Sequence, residues 1–341
     1  MHRPDRSGED ELTAWIRRRL GRQGQHRIGD DGAILPSGPA WTVTTDQQIA
    51  GVHFPPDLPP RGIAKRLLAV NLSDLAAMGA KPEYALLTLS SPGSFDVKAF
   101  FRSLIQACRQ FQLELVGGDL ARTPGLSATM TLFGRRERGS RWLLRSNAQI
   151  GDAIYVGGVL GRAVAGLRLV RMGATLEGNA VRLPESMTNQ PKSVTEEARR
   201  AVRAYLFPQP QIDLGLLLAR LPRAAAIDIS DGLSLDLSRL CRESGVGAEI
   251  SLEALLPPTP PLAHLHRAIQ IDTESAILAG GDEYRLLFCL PSDLRLPDDL
   301  GCLEIGTISA GSEIRLVHGG RARLLQPSGF DHFAADRSSE H

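Results

Sequence analysis

The acidic side chains of this sequence stand where carboxylates are poor structural choices. Asp30 and Asp31 follow Gly29 and interrupt an apolar segment. Asp46 closes the strand-like run that begins at Trp41, and Asp74 sits in the small-residue half of a helical pattern. Asp119 follows a glycine pair, Asp228 and Asp231 flank Ser230, and Asp282 and Glu283 follow a second glycine pair. A buried carboxylate is costly unless a cation or strong donors meet it. So many hard oxygen ligands suit Mg²⁺, which keeps part of its water shell and shares phosphate oxygens with a nucleotide.

Each motif also has a plainer reading. Asp30-Asp31 and the GGD around Asp119 can be solvated turns. Asp74 can be a helix-surface acid, and Asp231 an N-cap. Asp228, inside an apolar strand, resists such an explanation. The sequence carries no GxxxxGK[ST] loop, no GxSxG elbow and no HRD/DFG pair. Its histidines and cysteines show no zinc-ligand spacing. The residues therefore point to a metal–phosphate site on an α/β scaffold without a P-loop.

The elements that must position these acids can be read from periodicity. A helix is expected over residues 9–20. A strand ending in Thr44-Thr45-Asp46 leads into the Pro-rich loop HFPPDLPP, which excludes helix. From Gly62 a helical period carries Ile63, Leu67, Val70 and Asp74, with Lys65 and Arg66 read as its charged side. A strand over 84–91, a helix opened by a Ser cap, and a β-like run into Gly117-Gly118-Asp119 follow, then a strand over 126–135. The arginines from Arg135 to Arg145 read mostly as solvated charges, one of which could clamp a phosphate. Strand, glycine turn and helix from Gly151 mark a second domain. The cluster Gly157-Gly158 with Gly161 matches a dinucleotide fingerprint only loosely. Residues 173–198 read as a flexible insertion, a helix is expected from Glu197 to Leu206, and further strands near 303–309 and 313–317.

At 341 residues, with 43% hydrophobic and 23% charged residues, the chain suits two globular domains with proper cores. A net charge of +1 argues against nucleic acid or a membrane surface as partner. Cys108, Cys241, Cys289 and Cys302 form no CxxC and read as buried thiols in a reducing compartment. No apolar run spans a membrane and the first residues lack a signal-peptide core, so a cytoplasmic location is expected.

The segments IGDDGAIL, TTDQQIAGVHF, AVNLSDLAAMGAKP, VGGDLAR, IDISDGLSLDL, GGDEYRL and GFDHF resemble, in order, those of thiamine-monophosphate kinases. These belong to the aminoimidazole ribotide synthetase-like (PurM-like) ATP-binding superfamily. The resemblance runs over about residues 10–333. It implies a two-domain α/β (α+β) fold: an N-terminal domain over 1–148 whose sheet dimerises, a C-terminal domain over 149–333, and a disordered tail over 334–341. It further implies transfer of the ATP γ-phosphoryl group to thiamine phosphate, in a homodimer, with several Mg²⁺ ions and no protein nucleophile. By the same resemblance Asp31, Thr44, Thr45, Asp46, Asp74, Asp119, Asp228 and Asp231 would hold metal. Gly118, Asp119, Arg145 and Ser230 would contact ATP, while His53, Asp282 and Phe330 would face thiamine phosphate.

The chain departs from the pattern around the acceptor. GGDEYRL stands for the usual GGEDYEL, which shortens the substrate-facing acid to Asp282 and places Arg285 where an acid is usual. Gln47-Gln48 replaces a small or aliphatic pair, Leu120 a hydroxyl residue, and Pro327 an aromatic. Two alternatives stay open: a paralogue phosphorylating another small molecule, and a nucleotide-binding dimer without turnover. A selenophosphate synthetase is disfavoured, since no Cys lies in the N-terminal glycine-rich region.

Overall fold

The helix around Asp74 forms over Pro60–Ala77, with proline in its first turn and almost every side chain buried. A helix buried over most of its surface must lie between two packed layers, and this one does. A computed structural model describes residues 30–35, 40–177, 180–256 and 260–330, together with Glu11, Ala14 and Arg18. Those three isolated residues are helical; the rest of the expected 9–20 helix and the 334–341 tail lie outside the described residues.

The first layer is a five-stranded sheet. Its strands are β1 (Ala33–Ile34), β2 (Trp41–Ile49), β3 (Lys81–Ser91), β4 (Glu114–Arg122) and β5 (Ser127–Arg135), ordered β1-β2-β5-β3-β4. Helices α1 (Pro60–Ala77) and α2 (Val97–Gln110) are amphipathic or apolar elements that contribute Leu67, Leu75, Phe100 and Leu104 to a common core with Leu87, Leu89, Met130 and Leu132 of the sheet. The opposite face carries Thr45, Gln47, Tyr84, Leu86 and Thr88, all exposed. Edge strand β4 is exposed along nearly its whole length, Val116 and Leu120 included.

The second layer is a seven-stranded sheet. Its strands are β6 (Ala153–Val156), β9 (Ala225–Asp228), β10 (Gly247–Ser251), β11 (Leu286–Leu290), β12 (Leu303–Ser309), β13 (Ile314–His318) and β14 (Arg321–Leu324), ordered β14-β13-β10-β12-β6-β11-β9. Its helices are α3 (Arg162–Arg171), α4 (Lys192–Leu206), α5 (Ile212–Leu218), α6 (Leu233–Ser244), α7 (Leu252–Leu255), α8 (Pro260–Ala268) and α9 (Thr273–Leu278), and β7 (Thr175–Glu177) pairs with β8 (Ala180–Arg182) as a hairpin. Helix α5 packs directly on α1. A Cβ at Gly215 would lie 2.1 Å from the Ala76 carbonyl oxygen, so only glycine permits that approach. Among the described residues no helix is long and apolar enough to cross a membrane.

Several local expectations are corrected. Strand β2 runs through Asp46-Gln47-Gln48 to Ile49 instead of ending at Asp46, because nine registered pairs with β5 hold it. The glycine pair before Asp119 lies inside β4, not in a turn. Helix α2 is capped by Asp96, which accepts from the Ala99 N–H at 2.9 Å, and not by serine. Residues 173–198, apart from 178 and 179, form the hairpin, a short 3-10 turn and the start of α4, with Val181, Met187 and Val194 in the core. Those three apolar residues are what a reading of the polar majority overlooks.

Candidate active site

Three carboxylates from three elements converge. Asp31 precedes β1, Asp74 lies near the end of α1, and Asp228 ends β9; one oxygen of each falls within 4.8 Å of the others. Strand alternation turns Thr44 and Asp46 towards α1. The Thr44 hydroxyl donates to Asp74 at 2.5 Å, and the Asp46 N–H donates to the Asn71 side chain at 3.0 Å. Burial pushes the Asp74 carboxyl well above the ordinary range, and the charges of Asp46, Asp228 and Asp31 push it further. Asp228 is raised in the same way, by burial first and then by Asp31. Such a group of buried acids is stable only as a partly protonated set or around a cation. The donors are all hard oxygens, which fits Mg²⁺ and not a soft metal.

Arg145 closes one side of this group. Its guanidinium meets both oxygens of Asp31 at 3.1 Å, and its N–H donates to Asp30 at 2.7 Å. Burial draws the Arg145 pKa down, but the charge and hydrogen bonds of Asp31 outweigh it and leave the group firmly protonated. The solvated turn offered for Asp30-Asp31 is thus overturned, since the Asp31 side chain is only 2% exposed.

A second network lies beside the carboxylates. Arg66, fully buried, donates Nε to the Gln48 side chain at 3.1 Å and its terminal nitrogens to the Tyr205 carbonyl and the Asp282 carboxylate. The Tyr205 hydroxyl reaches the His53 carbonyl at 3.4 Å. His53 Nδ1 accepts the Ile49 N–H at 3.0 Å, which leaves its ring proton on Nε2. Asp282 and Tyr284 hold positive φ of 62° and 49°. For a tyrosine this is an uncommon, strained conformation, and such residues gather at functional sites. Bonds from the Asp282 and Tyr284 N–H groups to Ser230 and Ile229 fix the loop. Burial raises the Tyr284 hydroxyl well above its ordinary range, and Asp282, Asp46 and Asp228 add to this, so both networks share one environment.

Some expected residues lie elsewhere within one chain. The Thr45 hydroxyl points to the other sheet face, where it bonds the Met130 carbonyl at 3.0 Å. Asp231 pairs with Arg239 at 2.5 Å instead of joining Asp228. Asp119 is exposed on β4, in register with Thr88 and, across β5, with Gln47. Three strand spacings, about 14 Å, separate it from β2. Gly118 is demanded by the sheet: its φ is 153° and a Cβ would lie 1.8 Å from the Leu87 carbonyl oxygen. Phe330 is half exposed and donates its N–H to Asp231. Leu120 is exposed on β4, so it lines no acceptor pocket within one chain, and of the two glutamines only Gln48 enters the Arg66 network.

Two contributors escaped the sequence reading. Arg66 falls four and eight residues before Val70 and Asp74, a helical spacing that could have assigned it to the buried face. Asp236 accepts the Asp231 and Gly232 N–H groups, each at 3.1 Å, and its pKa rises to about 7, chiefly through burial and then Asp231.

Comparison with known proteins places this architecture. Residues 29–135 match the family described as AIR synthase related protein, N-terminal domain, and residues 149–319 its C-terminal domain. A solved structure described as AaThiL complexed with AMPPCP and TMP superposes with a TM-score of 0.81 at 28% identity, covering 96% of this chain and 97% of that one. The thiamine-monophosphate kinases of Salmonella typhimurium and Escherichia coli K12 are 35% and 36% identical over 322 residues, 90% of this chain and 91% of each relative. The chain belongs to the AIR synthase-related family and, within it, to the thiamine-monophosphate kinases.

Proposed function

We propose that this chain is a Mg²⁺-dependent kinase that transfers the γ-phosphoryl group of ATP to thiamine phosphate, giving thiamine diphosphate and ADP. The observation that carries this reading is the convergence of Asp31, Asp74 and Asp228 beside the network of His53, Arg66 and Asp282. The relatives of the same length and architecture are named for this activity.

Asp31, Asp74 and Asp228, with Asp46 and Thr44 beside them, would hold the metal. Bound there, Mg²⁺ would supply charge neutralisation for phosphate oxygens during in-line transfer. The chain's own residues do the positioning. Thr44 orients Asp74, and Arg145 fixes Asp31 through paired contacts until a nucleotide competes for its guanidinium. His53 presents Nε2–H as a donor suited to an acceptor phosphate. Arg66 holds Asp282 against the domain opposite. Thr44, Asp74 and His53 are set before substrate arrives, so they need little reorganisation during transfer.

Within this proposal the N-terminal domain covers residues 1–148 and the C-terminal domain 149–333, and the enzyme works in the cytoplasm as a homodimer. The uncovered sheet face and edge strand β4 would form the contact. A second copy packed there could bring its Gly118 and Asp119 to the first copy's nucleotide, which would reunite them with Thr45 and Asp46. Ser230 and Asp231 would approach the same nucleotide from the second domain, and Phe330 the acceptor.

One observation favours a different acceptor on the same scaffold: Asp282 is already neutralised by Arg66, so a cationic ring must compete for it. The deciding assay supplies ATP, Mg²⁺ and thiamine phosphate to purified protein and detects thiamine diphosphate. Formation of the diphosphate is expected. Its absence, with ATP still bound, overturns the assigned acceptor and favours the paralogue.

A further inference from the structure

Helix α1 has a second face. Arg61, Lys65, Leu68 and Ala69 lie on the side opposite Arg66, Val70 and Asp74, as a period of 3.6 requires. They form one wall of a cleft of about 500 Å³ between the two domains, a volume typical of small-molecule sites. Its cationic lining is Arg61 and Lys65 of α1, Arg162 of α3, Arg200 and Arg203 of α4, and Arg285 ahead of β11. Among the lining residues only Glu283 is acidic.

That carboxylate is already committed. Glu283 is buried and accepts the Ala163 N–H at 3.0 Å, which occupies the N-terminus of α3. Behind the lining, Glu197 is buried and answers Arg162 at 2.7 Å and Arg200 at 3.3 Å. The lining therefore carries more positive than negative charge, a balance that draws an anion towards the cleft. Apart from Gln110 and Gln209, the rest of the wall is apolar. Phe207 lies under Lys65, whose ammonium stands 5.8 Å from the ring centroid, and Phe111 and Val159 line the same space.

We propose that this cleft is a second ligand site, for an aromatic polyphosphate whose phosphoryl groups meet Lys65, Arg61 and Arg203 while its ring packs on Phe111 and Phe207. It differs chemically from the carboxylate site. Asp31, Asp74 and Asp228 repel a polyphosphate unless metal lies between, whereas the cleft attracts one directly. Occupancy would be felt at the acceptor, because Lys65 and Arg66 are adjacent on α1 and Arg285 lies three residues from Asp282.

The test is calorimetric titration of the full chain with ADP in excess EDTA, with adenosine as the uncharged control. ADP is expected to bind without metal and adenosine not to. The triple variant R61A/K65A/R203A should weaken ADP binding at least about tenfold, as the loss of charge-assisted contacts predicts. Asp74→Asn should not weaken it. Lys65→Glu alone gives a second reading should the triple variant melt below the parent. No ADP binding up to about 5 mM, above the range of small-molecule sites of this kind, overturns the proposal. So does an ADP affinity unchanged in Lys65→Glu and in the folded triple variant. The readout is binding without Mg²⁺, so its failure is distinct from failure of the kinase reading.

Discussion

Arg66 on α1 and Asp282 on the loop before β11 form an ion pair that crosses from one domain to the other, and the arginine side chain is only 1% exposed. Arg66 also answers Gln48 and the Tyr205 carbonyl, so four segments depend on one cation. Removing one member of a buried pair leaves the other charge uncompensated, at about 3–5 kcal/mol. Arg66→Met should therefore cost about 3 kcal/mol in urea unfolding, somewhat below the full range because Asp282 keeps some solvent. Arg66→Lys should recover part of the stability. A loss under about 1 kcal/mol for Arg66→Met would mean that the pair does not hold the domains.

Asp74→Asn separates stability from function. It removes one charge from a set of buried acids that repel one another, so without metal the variant should melt at or above the parent temperature. Turnover should fall by about three orders of magnitude, the scale seen when a group stabilising developing charge is removed. Near-parental turnover would remove Asp74 from the metal set.

Asp119 offers a test of assembly. Asp119→Asn and Asp74→Asn should each be inactive alone. If each site takes Asp74 from one copy and Asp119 from the other, mixed dimers contain one intact site. Mixing the two inactive proteins under exchange should then restore about a quarter of parental activity, the statistical share from random pairing of subunits. A mixture that stays inactive while exchanging subunits assigns both acids to one copy.

Glu283 should leave a pH signature on stability. Burial raises its carboxyl to about 7, with the Ala163 N–H opposing. The folded state then holds a proton that the unfolded state releases near the ordinary glutamate value of 4.5. Its contribution is greatest below about pH 4.5 and is lost as pH rises through about 7. The span corresponds to roughly 3 kcal/mol at 1.36 kcal/mol per unit. Glu283→Gln cannot titrate, so its stability relative to the parent should improve between pH 5 and pH 8. Parallel stability curves for the two proteins would contradict the shift.

The legible parts of this chain are those where periodicity and chemistry coincide. Asp74 stood out because an acid on an apolar helical stripe breaks the pattern, and Asp228 because it interrupts a buried strand. Arg66 was hidden by its neighbour: beside Lys65 it looked like half of a solvated pair, although adjacent helical residues point about 100° apart. Gly117-Gly118 looked like a turn, yet the positive φ of Gly118 lies within a strand where neighbouring β3 comes too close for a Cβ. The region 173–198 is ordered by tertiary packing of a few apolar side chains, which composition dilutes. Asp119 and Thr45 carry no local signal that the uncovered face of the sheet, and not the Asp74 side, receives them.

Helix α1 brings these threads together. Buried over most of its surface, it lends one face to the carboxylates and the opposite face, with Arg61 and Lys65, to the cationic cleft, and Gly215 of α5 locks its end. A helix so constrained has little freedom to drift. Changes of acceptor preference should fall instead in the segments that merely touch it, residues 47–48 and 282–285.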